Sequence, residues 1–367
     1  MKILILKNNL AEGVGVVERA VGTTEKLPSL QHLHLRTTDA GLTVTATNLE
    51  LAIQATITGK ILEHGECSVP ASVFSPIVRN LTSERVTLES VHKVLSLVTD
   101  NYEAKIPGGD PKDFPLLPKV SEGAIVVSIG VGTIRRALLS VVGAAQYSEV
   151  RPEISGVLFC VREGRLFLVA TDSFRLAEYV VPETAFESPS DVQVIIPLRT
   201  TEEILRVFGD DEEQLSISID EHQVLYATPT RRIISRSVDG VYPEYRAIIP
   251  TEVGTEALVA RQEFIAATKL VSSLAGRAND IMVTVEEKGK YLELSSGESS
   301  RGENRYRIPA KIHGDAFSVV FNWKFLFEGL RIYHGAEVIL GVKKGGPTLI
   351  TSASEPFIRY VVMPIRS

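Results

Sequence analysis

SVPASVFSPIVRNL (residues 68 to 81), VIIPLRTTEEILRVF (194 to 208) and SVVFNWKFLFEGLRIY (318 to 333) decide the fold. Each is a short β-like run, a break and then a helical pattern. With the breaks Pro70, Pro197 and Asn322 aligned, Arg79, Arg206 and Arg331 fall in register, 127 and 125 residues apart. Seven residues upstream stand Ser72, Arg199 and Lys324, nearly two helical turns away and so on the same helix face. Self-similarity at a fixed period is the signature of a repeated module.

Other segments keep the same period. LTVTATNLELA (42 to 52) resembles LFLVATDSFRLA (166 to 177), matching Ala46-Thr47 to Ala170-Thr171 and Leu51-Ala52 to Leu176-Ala177. The third version, YLELSSGESSRGENRY (291 to 306), is more diverged. Phe114-Pro115 and Tyr242-Pro243 close the first two copies in Pro-rich stretches that read as extended linkers. The expected domains are 1–120, 121–249 and 250–367. Each opens with a helix, roughly 8 to 21, 131 to 145 and 262 to 276. Alternating strands such as SLQHLHLRTT and GVLFCV follow, and runs such as QLSISID, HQVLYATPT and RRIISRSV close the module. Strand next to strand implies hairpins, so the class is α+β, with two helices per module packed on antiparallel sheet.

The chain has 367 residues, 44% hydrophobic and 23% charged, which predicts packed cores throughout. The start, MKILILKNNL, lacks the length and cleavage site of a signal peptide, and no window reaches the roughly 18 apolar residues of a membrane span. A soluble cytoplasmic protein with no membrane association is expected. Cys67 and Cys160 belong to no CxxC pair and read as buried reduced thiols.

The formal net charge is −6, a weak argument against a nucleic-acid partner, because a basic face can stand against acidic surfaces elsewhere. Helix 71 to 81 places Val73, Phe74, Ile77, Val78 and Leu81 on a core-facing stripe, with Arg79 off it. In the second copy Leu198, Ile204, Leu205 and Phe208 are apolar while Arg199 and Arg206 point elsewhere, and the third has Lys324 and Arg331. The opening helices carry Arg19, Arg135, Arg136, Lys269 and Arg277. Acids gather in loops, as in Gly209-Asp210-Asp211-Glu212-Glu213. Two readings fit. The cations solvate exposed helix faces, or they form a positive surface that holds phosphates without reading bases. Recurrence of one cation position in three copies favours a shared role and leaves both readings open.

No catalytic constellation stands out. Gly13-Val14-Gly15-Val16-Val17-Glu18 imitates a dinucleotide fingerprint, but Glu18 replaces the third glycine and the spacing from the strand is wrong. His32 and His34 share a strand face without an identifiable third ligand, and read as polar sheet positions. Asp172-Ser173 lacks a GxSxG elbow, and Gly345-Gly346-Pro347 reads as a hairpin turn. No cofactor, metal or enzymatic activity is expected.

Across its full length the chain resembles the bacterial DNA sliding clamps, the beta subunits of DNA polymerase III. The most specific segments are Val169-Ala170-Thr171-Asp172-Ser173-Phe174-Arg175-Leu176-Ala177, Tyr242-Pro243-Glu244-Tyr245-Arg246 and Tyr360-Val361-Val362-Met363-Pro364-Ile365-Arg366. Arg151-Pro152-Glu153-Ile154-Ser155-Gly156-Val157-Leu158-Phe159 also fits. The resemblance implies three clamp domains per chain and a head-to-tail homodimeric ring around double-stranded DNA. Helices would line the hole, with Arg19, Arg79, Arg135, Arg136, Arg199, Arg206, Lys269, Arg277, Lys324 and Arg331 facing the duplex independently of sequence. Processivity would come from linkage rather than affinity.

The resemblance also implies a cleft where the replicative polymerase, the clamp loader, other polymerases and repair proteins dock short hydrophobic motifs. Carried over by position, its lining is Ile154, Thr171, Ser173, Phe174, Arg175, Leu176, Pro243, Ile248, Asn322, Phe325, Val361, Val362, Met363, Pro364 and Arg366. Ser173-Phe174 stands where the family often has Gly-His, and Ala247 where an Arg frequently follows the YPEYR-type segment. Thr24 and Ser148 replace more polar or basic residues in loops thought to touch DNA. For the dimer seam, Leu270 and Val271 would face a surface near Phe74 to Val78 and Tyr102 to Ile106. A ring-shaped protein scaffold that does not encircle DNA is the alternative.

Overall fold

In every repeat a strand runs straight into a helix, twice. A computed structural model describes residues 1–24, 26–209, 214–286, 289–298 and 302–365, with Glu298 by its backbone alone. The acidic run Asp210 to Glu213 and the cleft candidate Arg366 lie outside the described residues.

The first repeat holds β1 (Lys2–Leu6), α1 (Lys7–Val17), β2 (His32–Thr38), β3 (Gly41–Thr47), β4 (Leu51–Ile57), β5 (Gly59–Glu63), β6 (Glu66–Pro70), α2 (Ala71–Asn80), β7 (Arg85–Val91), β8 (Val94–Val98) and β9 (Glu103–Pro107). The second holds β10 (Ile125–Gly130), α3 (Val131–Val141), β11 (Gly156–Arg162), β12 (Arg165–Thr171), β13 (Arg175–Val181), β14 (Phe186–Glu187), β15 (Val192–Pro197), α4 (Leu198–Val207), β16 (Gln214–Ile219), β17 (Gln223–Ala227) and β18 (Arg231–Arg236). The third holds β19 (Thr255–Ala260), α5 (Arg261–Val271), β20 (Asp280–Val285), β21 (Tyr291–Glu298), β22 (Gly302–Gly314), β23 (Phe317–Asn322), α6 (Trp323–Arg331), β24 (Glu337–Val342), β25 (Thr348–Thr351) and β26 (Ile358–Val362).

Each opening helix is 11 residues long and ends in a three-residue 3-10 turn. Tightening the last turn gives orphan carbonyls a donor. Arg277 therefore lies beyond its helix, in the turn after the 3-10 segment Ser272–Leu274. At the second strand-to-helix junction of the third repeat, Asn322 caps α6 by accepting from the Lys324 amide at 3.0 Å.

The chain packs as two bodies, and the second repeat is divided between them. One comprises Met1–Gly132 with Glu203–Ser237, the other Thr133–Glu202 with Val238–Ser367. The first body has a sheet in the order β5-β1-β7-β8-β9 and a run β10-β16-β17-β18-β4-β3-β2-β6. In it β18 joins β4 antiparallel, from Arg231 opposite Ala55 to Ser235 opposite Leu51. The second body has one sheet, β15-β11-β12-β13-β26-β25-β24-β19-β22-β21-β20-β23. There β26 joins β13, from Arg175 opposite Val362 to Tyr179 opposite Ile358. Each seam pairs the third strand after an opening helix with the last strand of the next repeat.

Glycine lets helices sit close on these sheets. A methyl at Gly13 would overlap Ile57, so the fingerprint-like glycine is a contact between α1 and β4 rather than a phosphate turn. A methyl at Gly329 of α6 would overlap the Tyr360 ring. That ring is buried, and its hydroxyl donates to the Phe325 carbonyl at 2.9 Å, so it has nowhere to retreat.

One turn corrects the alignment made from sequence. Thr47 Oγ1 donates to the Leu51 carbonyl, and Thr171 Oγ1 donates to the Arg175 carbonyl. Asn48 accepts from the amides of Glu50 and Leu51 as Asp172 accepts from those of Phe174 and Arg175. Leu49 and Ser173 both have φ 76°. Leu51 is thus the counterpart of Arg175, and Ala52 of Leu176, one residue away from the Leu-Ala match.

The Gly329→Ala variant should lose about 1–3 kcal/mol of stability by overpacking. Urea unfolding followed by circular dichroism checks this, with Gly132→Ala as the comparison, since nothing meets a methyl there.

Candidate functional site

The turn after β12 builds the strongest site. Asp172 is buried, and its two oxygens receive the Phe174 and Arg175 amides and the Arg175 Nε, each at 2.9 Å. Arg175 also pairs with Glu328 of α6 and lies 4.5 Å from the Phe325 ring centroid. Phe174 stacks on Phe325 with centroids 6.3 Å apart, yet stays 61% exposed, so its outer face is free for another apolar group. Arg151 donates to Ser173 Oγ at 2.9 Å and ties down the tip of the turn.

The C-terminal segment forms the neighbouring wall. The Met363 amide donates to the Phe174 carbonyl at 2.8 Å, which extends the β13–β26 pairing by one step. The Ile365 amide donates to the Val320 carbonyl at 2.8 Å. Beneath, Leu176 and Val361 pack with Leu158, Cys160, Val169, Ile195, Tyr242 and Tyr245.

The candidates therefore separate by accessibility. Ile154, Thr171, Leu176, Val361 and Val362 are buried and support the floor. Pro243, Asn322, Phe325, Arg175, Met363 and Pro364 are half-buried, while Ser173, Phe174 and Ile248 are exposed. The surface available to a ligand comprises the second and third groups. Sequence reading missed Arg151, Asp172, Glu328 and Tyr360, which position the turn. Asp172 was legible, because an Asx residue before a tight turn accepts from the backbone two and three residues on.

The cations proposed to meet nucleic acid are not equivalent. Arg79 makes a two-point contact with Glu18 at 2.7 and 2.8 Å. Arg19 and Arg206 share Glu203, at 3.2 and 2.9 Å, and the burial of Glu203 anchors both while each guanidinium stays half exposed. Arg136 interacts with the Tyr179 hydroxyl, and Arg135 also has an interaction partner. Lys324 and Arg331 lie 5.9 and 5.7 Å from the rings of Trp323 and Phe327. Arg199, Lys269 and Arg277 are exposed, with no ion pair among the described residues.

The dimer candidates need correction. Phe74, Val78, Ile106 and Val271 are at most 3% exposed, so their surfaces are already spent on their own chain. The outward face of α2 is offset by one position: Val73 is 45% exposed, and Pro76, Ile77 and Asn80 line a hollow with Asn101 and Tyr102. Leu270, 59% exposed, remains available.

His32 and His34 do not share a ligand. His32 Nδ1 lies 3.0 Å from Ser68 Oγ, and His34 Nε2 lies 3.5 Å from Glu66. Burial lowers both imidazole pKa values, and the described residues hold no group of three metal-ligating side chains. Burial pushes the Cys67 thiol up to about 12, as expected of an inert core thiol.

Three strand–helix repeats, joined edge to edge in shared sheets, define a clamp-type repeat protein of the α+β class. Family comparison agrees along the chain. Residues 1–118 match the N-terminal domain of the DNA polymerase III beta subunit, 128–244 the central domain and 246–366 the C-terminal domain. The beta sliding clamp of Bacillus subtilis is 28% identical over 381 residues, covering 100% of both chains, and that of Synechocystis is 27% identical over 391 residues, covering 100% of this chain and 99% of its own. The crystal structure of the Bacillus subtilis clamp superposes with a TM-score of 0.92 at 28% identity, over 100% of this chain and 99% of its own. A Pseudomonas aeruginosa beta subunit superposes at 0.93 and 23% identity over 100% of both, which speaks to fold. The chain belongs to the DNA polymerase III beta subunit family, the beta sliding clamps. Its function is that of a replication processivity clamp.

Arg175→Ala should destabilise the second body by about 3 kcal/mol, since it leaves the buried Asp172 carboxylate without its charged partner. Hydrogen exchange checks this, with the Phe174, Arg175 and Met363 amides expected to lose protection first.

Proposed function

We propose that two copies of the chain join head to tail in a ring around double-stranded DNA. The ring tethers the replicative polymerase, the clamp loader, other polymerases and repair proteins, and has no catalysis of its own. This work would take place in the cytoplasm, on the chromosome.

The observation that carries this reading is a pair of open strand edges. Within the chain β4 is closed by β18, and β13 by β26. The counterpart of β4 and β13 in the third repeat is the first half of β22, residues 302–309, which pairs with β21 on one side only. The counterpart of β18 and β26 in the first repeat is β9, which pairs with β8 on one side only. Among the described residues neither has a second strand partner. A second copy supplies what each lacks, and the new seam repeats the two internal ones. Apolar side chains flank both edges: Val73, Ile77 and Tyr102 beside β9, and Leu270 beside β22, where Asn304 donates to the Leu270 and Val271 carbonyls. Open edges of this kind otherwise invite uncontrolled association.

Encirclement relieves individual contacts of the need for strength. Arg199, Lys269, Arg277, Lys324 and Arg331 supply cations without a carboxylate partner among the described residues, Arg19, Arg79 and Arg206 supply partly neutralised ones, and Arg135 and Arg136 add two more with contacts of their own. Contacts of this kind bind phosphates weakly and independently of sequence. The cleft works differently. Phe174, Phe325, Met363, Pro364, Pro243 and Ile248 offer apolar surface to a short extended segment, and Arg175 holds the turn that carries them.

Loaded by a clamp loader and ATP, the protein should remain on nicked circular DNA and slide off after linearisation. Equal retention on both forms refutes the topological linkage and favours a scaffold that does not encircle DNA. Deletion of Met363 to Ser367 removes the Phe174–Met363 pairing, and should weaken binding of a clamp-motif peptide at least tenfold while the sedimentation coefficient stays that of a dimer. Unchanged affinity in fluorescence anisotropy rejects the cleft.

A further inference from the structure

The seam between the first and second repeats carries a polar cavity lined by His34, Arg36, Thr45, Gln54 and Arg232. Two rows of side chains cross β2, β3, β4 and β18. In one, His34 stands opposite Thr45, Thr45 opposite Gln54, and Gln54 opposite Arg232. In the other, Arg36 stands opposite Thr43 and Thr43 opposite Thr56, whose amide continues to the Thr230 carbonyl. The alternate positions Leu33, Leu35, Val44, Ala46, Ile53 and Ala55 are buried on the face where α1 packs, so the polar rows lie on the other face.

In the sister seam the same rows read Leu158, Val169, Glu178 and Arg359, then Cys160, Phe167 and Val180. Tyr242 and Tyr245 from the following linker pack onto Leu158, Cys160 and Val169, and Arg246 lies 4.9 Å from the Phe167 ring centroid. That face is filled. In the first seam the linker only half covers its rows. Phe114, the counterpart of Tyr242, stacks on His34 with centroids 5.1 Å apart. Leu116 then stands at the rim of the hollow and is 98% exposed. A cavity of about 730 Å³ remains between linker and sheet.

Its charge is one-sided. Arg36, Lys112 and Arg232 are exposed lining residues with no ion pair among the described residues. The lining acid, Glu66, is engaged with His34 at 3.5 Å. Arg36 and Arg232, with Lys112 beside them partly offset by Asp110, mark a local anion site on a chain of net charge −6. Single-stranded nucleic acid fits poorly, since base stacking needs an exposed aromatic face, and the lining aromatic, Phe114, is buried against His34. A polypeptide fits better: threonine hydroxyls and the Gln54 amide offer hydrogen bonds at strand spacing, and Leu116 offers an apolar contact.

We propose that this cavity is a second peptide-docking site, taking an extended acidic segment of a partner protein whose carboxylates meet Arg36, Lys112 and Arg232 and whose aliphatic residue covers Leu116. It is independent of the cleft between β13 and the C-terminal segment.

The test is fluorescence anisotropy of the full-length protein with a fluorescein-labelled peptide of alternating aspartate and leucine, at low and high salt. Binding is expected to weaken with salt and to fall about tenfold in the double variant Arg36→Gln, Arg232→Gln, whose exposed side chains leave the fold intact. The same peptide with asparagine for aspartate should not bind. Several outcomes overturn the proposal: no binding, equal binding by the asparagine peptide, affinity unchanged in the double variant, affinity lost instead in Phe174→Ala, or tighter binding of oligothymidylate through the same arginines.

Discussion

Backbone hydrogen bonding between repeats is the constraint on which the rest of this structure depends. A sheet cannot end in the middle of a protein without leaving amides and carbonyls unmatched, and the second and third repeats each end in a strand that finds its second partner in the preceding repeat. The β4–β18 and β13–β26 pairings each run over five residue pairs. They make the second repeat inseparable from its neighbours, and its elements fall into two packed bodies rather than one. Among the described residues one third-strand edge, on β22, and one last-strand edge, on β9, have no second strand partner, and the proposed ring rests on that pair.

The seams are also where specificity is written. The turns at Thr47–Leu51 and Thr171–Arg175 have the same hydrogen bonds and the same left-handed residue, so their backbones are interchangeable. Their side chains are not. Glu50 and Leu51 occupy the first turn where Phe174 and Arg175 occupy the second. The ring and guanidinium engage Phe325 and Glu328, and that engagement converts a structural turn into the wall of an apolar cleft. The divergence runs the other way on the adjoining sheet faces. There the second seam is apolar and covered by Tyr242 and Tyr245, while the first is threonine-rich and open.

Much of this was legible in the sequence, and the failures have physical causes. The repeat was visible because a strand-to-helix junction changes period from two to 3.6, and three such changes cannot be mistaken for one another. The one-residue misalignment at Leu51-Ala52 arose because a Leu-Ala pair recurs by coincidence, whereas the Thr-Asx chemistry that fixes the turn was not used. Periodicity places Phe74 and Val78 on the core-facing stripe of α2, where both are buried, whereas the resemblance carries them to a dimer seam by position alone. The Arg206–Glu203 pair is an i, i+3 contact within α4 that helical spacing makes legible, but Arg19 and Arg79 read as free cations because the carboxylates that hold them, Glu203 and Glu18, come from distant segments. Pairing at such separation leaves no local trace.

The unmatched edges also bear on how the proposed ring would close. A heterologous contact between like surfaces makes either a closed ring or an open fibre, and only the rotation per step decides which. In this chain the intermolecular step would be built like the internal ones, by a last strand laid along a third strand. In the proposed ring the internal seams would constrain the external one: a twist that lets β18 meet β4 and β26 meet β13 would also set the approach of β9 to β22. The side chains at the open edges are where the external seam departs from the internal pair. Arg305 and Arg307 of β22 are both drawn to Glu293 of β21, at 3.1 and 2.7 Å. Edge cations held this way keep the strand soluble until a partner arrives and need not be stripped of their counter-charge when it does. A covalently continuous seam needs no such provision. In the proposed ring a seam that opens would, and β22 carries that charged edge beside Glu293, whereas β4 and β13 are closed within the chain by β18 and β26.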